Sequence, residues 1–273
     1  MEFKNLTPAV AIPVLGLGTW GMGGGVKFNY SRDLEEIEAI QYAISKGVTH
    51  IDTAEIYAGG HTEELVGKAI KSFERKKIFI TTKIAPQHLF FQNQIVTACK
   101  RSLARLGTSY IDLYLIHWPN PLSPMKNVMA AFDKLVSQGL VKFCGVSNFS
   151  VRQLADAQKH TKNKIVTNQV EYSLLVRKPE EELLPFCQKE AVILTAYTPL
   201  ASGRLAQKGF QALDKVAKKC GKTLAQVALR WLIEKPNVIV IPKSANTVHI
   251  DELLGAVGWK LKKEDEEYLT SQL

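Results

Sequence analysis

Asp52, Tyr57, Lys83 and His117 supply a carboxylate, a phenol, an ammonium and an imidazole, from which a proton-donating site at neutral pH can be built. Each follows an apolar, β-branched run: Val48–Ile51 leads to Asp52 and Tyr57, Ile78–Thr82 to Lys83, and Ile111–Ile116 to His117. Residues so far apart in sequence meet only in a fold that gathers strand ends. A barrel of parallel strands does this, because every strand's carboxyl end opens onto one common face.

The elements needed for such a barrel are present along the whole chain. Strand-like stretches are Leu15–Thr19, Thr49–Asp52, Ile78–Lys83, Ile111–His117, Val141–Val146, Ile165–Val170, Ala191–Ala196 and Val238–Ile241. Helical patterns separate them. Ile37, Ile40 and Ile44 recur at helical spacing before Gly47, and Leu65, Val66, Ala69 and Ile70 share one face. Gln92–Leu106 is ended by Gly107 and Met125–Gln138 by Gly139. Ser150 with Gln153, and Thr223 with Gln226, form capping boxes that open two more helices. Pro179–Lys189, Phe210–Cys220, Thr223–Glu234 and Asn246–Val257 complete the series. Strand followed by helix, repeated around the chain, predicts an α/β protein with a closed (β/α)8 TIM barrel. Phe3–Pro13 lies outside the count and is expected to form a hairpin closing the barrel floor, while Lys262–Leu273 makes a short amphipathic helix at best. No linker or low-complexity segment divides the chain, so residues 1–273 are expected to be a single domain.

Composition excludes several classes. The chain has 273 residues, 46% of them hydrophobic, enough to bury a full core. No apolar run approaches the roughly 18 residues that suggest a membrane span, and Met1–Asn5 lacks the plan of a signal peptide. A cytoplasmic protein is expected. Cys99, Cys144, Cys187 and Cys220 are scattered, which speaks against a disulfide framework or a zinc cluster. The net charge of +9 raises nucleic acid as a partner, but the basic residues are spread along the chain beside acids, as in Lys262–Asp265. A pocket for an anionic cofactor explains part of that charge more economically. His50, His61, His88 and His160 show no metal spacing and are expected in solvated or loop positions.

Gly16-Leu17-Gly18-Thr19-Trp20-Gly21 matches GxGxxG letter for letter. A dinucleotide fingerprint of that kind also needs a helix opening at once, and Met22-Gly23-Gly24-Gly25 follows instead. These glycines read as a first barrel strand and a loose loop.

Taken together, the motifs resemble the aldo-keto reductase family across essentially the whole chain, and in plan its shorter prokaryotic members, including diketogluconate and methylglyoxal reductases. The segments that carry the resemblance are Leu15–Trp20, Ile51-Asp52-Thr53-Ala54-Glu55-Ile56-Tyr57, Lys83, Leu113–Pro119, Gly145–Phe149, Asn168-Gln169, Ala196–Leu200 and Ile241-Pro242-Lys243-Ser244. The resemblance implies NAD(P)H-dependent reduction of aldehydes or ketones to alcohols. Negative charge growing on the carbonyl oxygen must be quenched in the transition state, and Tyr57 is the candidate acid. Lys83 would favour the phenolate, Asp52 would hold Lys83 charged and oriented, and His117 would bind the carbonyl oxygen as a neutral imidazole.

The resemblance also implies the cofactor contacts. Tyr197 would stack on the nicotinamide ring, and Ser147, Asn148 and Gln169 would hydrogen-bond its carboxamide. Leu200 and Ser202 would lie along the pyrophosphate. Lys243 and Ser244 precede a helix starting near Asn246, whose free backbone N–H groups would seat a phosphate. Where NADPH-preferring members usually carry an arginine, this chain has His249, which cannot form an arginine's bidentate fork. NADP(H) is favoured, with NAD(H) possible. Trp20 and Trp118 would wall the substrate. Short loops after His117 and Tyr197 leave the mouth open and imply loose substrate choice. A small aldehyde or ketone is the expected partner, with no nucleic acid or membrane, and the chain is expected to be a monomer. The alternatives are a non-catalytic NADPH-binding redox sensor or regulatory subunit of the same fold, and a metal-dependent hydrolase, which would want a first-strand HxH that is absent.

Overall fold

The computed structural model describes residues 1–273. A hairpin opens the chain, β1 (Phe3–Thr7) paired antiparallel with β2 (Val10–Pro13). Then come β3 (Leu17–Gly18), α1 (Asp33–Ser45), β4 (His50–Asp52), α2 (His61–Ile70), β5 (Phe79–Ile84), α3 (Gln92–Leu106), β6 (Ile111–Ile116) and α4 (Met125–Ser137). The second half adds β7 (Val141–Ser147), α5 (Val151–Lys159), β8 (Ile165–Glu171), α6 (Leu183–Lys189), β9 (Ile193–Tyr197), α7 (Gln211–Cys220), α8 (Leu224–Glu234), β10 (Val238–Val240), α9 (Thr247–Leu254) and α10 (Lys263–Gln272).

β3 to β10 form an eight-stranded parallel sheet in chain order. The sheet closes on itself through bridges from Leu15 to Val240 and from Gly18 to Lys243. The glycine-rich segment forms this seam. A Cβ at Gly18 would lie 2.7 Å from the Ile241 carbonyl oxygen, and one at Gly16 would lie 2.6 Å from His50 Nδ1. The glycines allow backbone and neighbouring strands to approach, so no phosphate loop is needed to explain them.

Alternation along the strands sorts the core into two layers. In β6, Leu113 and Leu115 point into the barrel, while Tyr114 and Ile116 pack in the large cluster shared with the helices. Val166, Ile193 and Ile239 join the inner layer, and Leu6 and Ile12 of the hairpin plug it from below. Both faces of the sheet are therefore apolar, which is why the strands read as near-continuous hydrophobic runs. The capping boxes at Ser150/Gln153 and Thr223/Gln226 are both formed, and α3 ends where Gly107 adopts a φ of 61°.

Several boundaries depart from the sequence reading. Pro179–Lys189 divides into a 3-10 turn (Lys178–Glu180), which holds Pro179 at its second position, and α6. α9 stops at Leu254, short of Val257, while the tail does form its expected short helix, α10, anchored by buried Leu269 and by Trp231 Nε1 donating to Thr270 Oγ1 at 3.0 Å. The segment after β9 is not short: Thr198–Phe210 separates it from α7. His50 and His61 are buried, not solvated. His50 Nε2 meets Thr81 Oγ1 at 2.9 Å, and His61 sits between Asp33 Oδ1 (2.8 Å) and Glu64 Oε2 (3.0 Å). No helix is long and apolar enough to cross a membrane.

Candidate active site

Asp52 is the last residue of β4, Lys83 lies near the end of β5, and His117 directly follows β6. Tyr57 opens a 3-10 turn, Tyr57–Gly60, whose Ala58, Gly59 and Gly60 all have positive φ. Ala58, at φ 47°, carries a left-handed penalty of about 1–2 kcal/mol. Neighbouring contacts hold the turn in place. Tyr57 N donates to Ala54 O, Ala58 N to Gly25 O, and Glu55 Oε1 accepts from Ala85 N (2.6 Å) and meets His88 Nδ1 (2.9 Å).

The four side chains converge. Lys83 Nζ donates to Asp52 Oδ1 (2.5 Å), Thr53 O (2.9 Å) and Tyr57 Oη (3.3 Å), so each ammonium proton has an acceptor. The Tyr57 and His117 rings lie 5.8 Å apart, and Trp20 meets the Tyr57 ring edge-on at 4.9 Å. Lys83 is fully buried and Asp52 nearly so. Burial works against the ammonium, but Asp52 and then Tyr57 outweigh it and raise the Lys83 pKa, keeping it charged. At Tyr57 the balance runs the other way. Burial raises the phenol's pKa, and Lys83 lowers it as expected but offsets the desolvation only in part. Burial, with repulsion from Lys83, pushes His117 down to about 3, so its ring is neutral at physiological pH. His117 Nδ1 is buried without a partner, and Nε2 is the ring nitrogen left to face the cavity.

A cavity of about 900 Å³ opens beside this cluster. All of the expected cofactor residues line it: Ser147, Asn148, Gln169, Tyr197, Leu200, Ser202, Lys243, Ser244 and His249. Trp20 and Trp118 line it too, about half exposed at 52% and 48%. Their hydrogen bonding is less uniform than their placement. Ser147 Oγ donates to Gln169 O at 2.9 Å. Asn148, at φ 62°, donates from Nδ2 to His117 O and Ser147 Oγ and accepts from Tyr197 Oη. Both residues are spent largely inside the protein. Gln169 Nε2 donates to Asp52 Oδ2 at 2.7 Å, and its Oε1 takes no hydrogen bond from the chain.

At the far end, Asn246 Oδ1 accepts from Val248 N and His249 N, and Ser244 Oγ accepts from Asn246 N. The first-turn N–H groups of α9 expected to be free are therefore partly capped. Lys243 is the one lysine or arginine among the lining residues. Sequence reasoning missed Thr19, Ile56, Gln207 and Glu252, which also line the cavity. Glu252 stands three residues after His249 on α9, so helical spacing could have found it. Thr19 Oγ1 donates to Asp52 O, a contact that no local pattern announces.

This arrangement can hold a carbonyl oxygen between a phenol and a neutral imidazole and deliver a proton to it. The family model described as the aldo/keto reductase family matches residues 14–272. Methylglyoxal reductase YeaE of Escherichia coli (strain K12) is 37% identical over 247 residues, covering 89% of this chain and 84% of that protein. The crystal structure of a thermostable aldo-keto reductase with the inhibitor epalrestat superposes with a TM-score of 0.96 at 46% identity, covering 100% of both chains. An aldo-keto reductase from Klebsiella pneumoniae in complex with NADPH superposes with a TM-score of 0.88 at 36% identity, covering 96% of this chain and 91% of that one.

Proposed function

This chain belongs to the aldo/keto reductase family and is an NADP-dependent oxidoreductase of carbonyl compounds; we propose that Tyr57 is its proton donor in the reduction of aldehydes and ketones to alcohols. The observation that carries this role is the contact of Tyr57 Oη with a buried, charged Lys83, itself paired with Asp52, at the edge of the cavity.

When bound, the reduced nicotinamide supplies the hydride. The chain does the rest. His117 Nε2 donates a hydrogen bond to the carbonyl oxygen and fixes its angle as a neutral imidazole. Tyr57 gives its hydroxyl proton to the same oxygen as negative charge develops there, and Lys83 stabilises the phenolate that remains. Asp52 keeps Lys83 protonated and stationary. Water then restores the tyrosine proton, so aldehyde, reduced cofactor and one proton yield alcohol and oxidised cofactor.

The lining fits a dinucleotide phosphate. The amide of Gln169 offers a free acceptor, Tyr197 is held half-buried by Asn148, and Lys243 with Ser244 and His249 provides the polar end. Leu200 and Ser202 line the stretch between, in a segment where Thr198, Ala201 and Ser202 all adopt positive φ. Trp20, Ile56 and Trp118 give the substrate apolar walls. Purified protein given NADPH and a reactive aldehyde should consume both in equal amounts with formation of the alcohol. Binding of NADPH without turnover would point instead to a sensor or regulatory subunit.

A further inference from the structure

Resting on the reading just given, we propose that Gln169 is a positioning residue for proton transfer, tying the nicotinamide seat to the Asp52–Lys83–Tyr57 chain. The Asp52 carboxylate is held on both oxygens, Oδ1 by Lys83 Nζ at 2.5 Å and Oδ2 by Gln169 Nε2 at 2.7 Å. Gln169 and Asp52 are 3% and 2% exposed, so this charge-assisted bond forms away from water. Since Lys83 spends its three protons on Asp52, Thr53 and Tyr57, a rotation of the Asp52 carboxylate is felt at the phenol.

The Gln169 backbone is fixed independently. It pairs with Ser147 and Thr195 on the neighbouring strands, and its carbonyl accepts from Ser147 Oγ and Asn148 N, both at 2.9 Å. With the backbone set and Nε2 committed to a carboxylate, the amide has one orientation, and Oε1 is the atom left over. Ser147 Oγ and the Asn148 amide are already hydrogen-bonded within the protein, and neither makes a hydrogen bond to Asp52. Gln169 is thus the lining amide that reaches the proton-transfer chain. A donor at Oε1, such as a carboxamide NH2, polarises the amide and strengthens its N–H bond to Asp52. That bond neutralises part of the Asp52 charge and leaves more of the Lys83 field for the phenol oxygen. Cofactor binding and acid strength are coupled through one side chain.

Two variants test this, Gln169→Leu and Gln169→Glu, assayed at saturating NADPH beside the unaltered enzyme. Leucine removes the donor. kcat should fall about tenfold, a fraction of the roughly 10²–10⁴ of a full general acid effect, and the high-pH limb of its profile should move to higher pH as the phenol becomes a weaker acid. Glutamate restores a donor only while protonated. Its kcat should recover at low pH and fall as pH rises, with an apparent pKa lifted above the carboxylate range by the Asp52 charge. The proposal is overturned if both variants lose NADPH affinity alone, with kcat at saturation and its pH profile unchanged; Gln169 would then be a carboxamide anchor and the Tyr57 reading would stand. Failure of that reading shows separately, as turnover retained near the parent rate by Tyr57→Phe. Should the glutamate variant lose its cooperative melting transition, the leucine variant decides alone, and an unchanged kcat and pH profile contradict the proposal.

Discussion

Lys83 stands two residues beyond Thr81, the register partner of Asp52, and so projects from the same face of the sheet with its Nζ 2.5 Å from Asp52 Oδ1. Parallel register places the ammonium and carboxylate together; no loop is involved. Lys83→Met would leave the Asp52 carboxyl group short of a partner in the interior. Breaking a buried pair in this way costs about 3–5 kcal/mol. Denaturant unfolding should show a loss of that size, and kcat should fall by roughly 10²–10⁴ in protein that remains folded.

The buried histidines contribute to how stability depends on pH. Burial lowers His50 to about 4 and, with Lys83, His117 to about 3, so between those values and the ordinary 6.5 the unfolded chain takes up protons that the folded one refuses. Their contribution is present above pH 6.5 and is lost as pH falls below it. His61 behaves oppositely. Burial opposes its charged form, but Glu64 and Asp33 outweigh it and raise the pKa, so its contribution is present below 6.5 and is lost as pH rises through the folded value. The melting temperature of the parent protein should fall on acidification from pH 7 to 5. His61→Gln should cost more stability at pH 6 than at pH 9. By NMR, the His117 ring should show no titration between pH 5 and 8.

Cofactor choice should reside in side chains at the α9 end of the cavity, because Asn246 already occupies two of the helix's first N–H groups. Lys243→Ala should weaken NADPH much more than NADH in fluorescence titrations. His249→Arg should tighten NADPH about tenfold, equivalent to about 1.4 kcal/mol. Equal losses for both cofactors in the lysine variant would remove Lys243 from the 2′-phosphate, and an unchanged NADPH affinity in the arginine variant would mean that position 249 points away.

Much of this barrel is legible in the sequence, for a physical reason. Strands buried on both faces, such as Ile111–Ile116, are apolar throughout, and the capping boxes at Ser150 and Thr223 are local signals. Asp52, Lys83 and His117 could be found because strand termini are marked by the change from apolar to polar, whereas Tyr57 lies in the turn beyond β4 and is found through the family-like segment Ile51–Tyr57. Long-range partnerships leave no such mark. His61 looks solvated until Asp33 and Glu64 close around it, and His50 until Thr81 does. Gln169 reads as a cofactor ligand alone, since its contact with Asp52 spans 117 residues. The pull of Lys83 on the Tyr57 phenol can be read from residue types, whereas the larger effect of desolvation depends on everything packed around the ring.

The most direct measurement is the turnover of Tyr57→Phe, followed as NADPH oxidation with a reactive aldehyde beside NADPH binding by fluorescence quenching. Loss of one hydroxyl should abolish reduction while leaving NADPH affinity nearly unchanged. Turnover retained near the parent rate would mean that the proton comes from elsewhere, and Tyr57 would not be the acid.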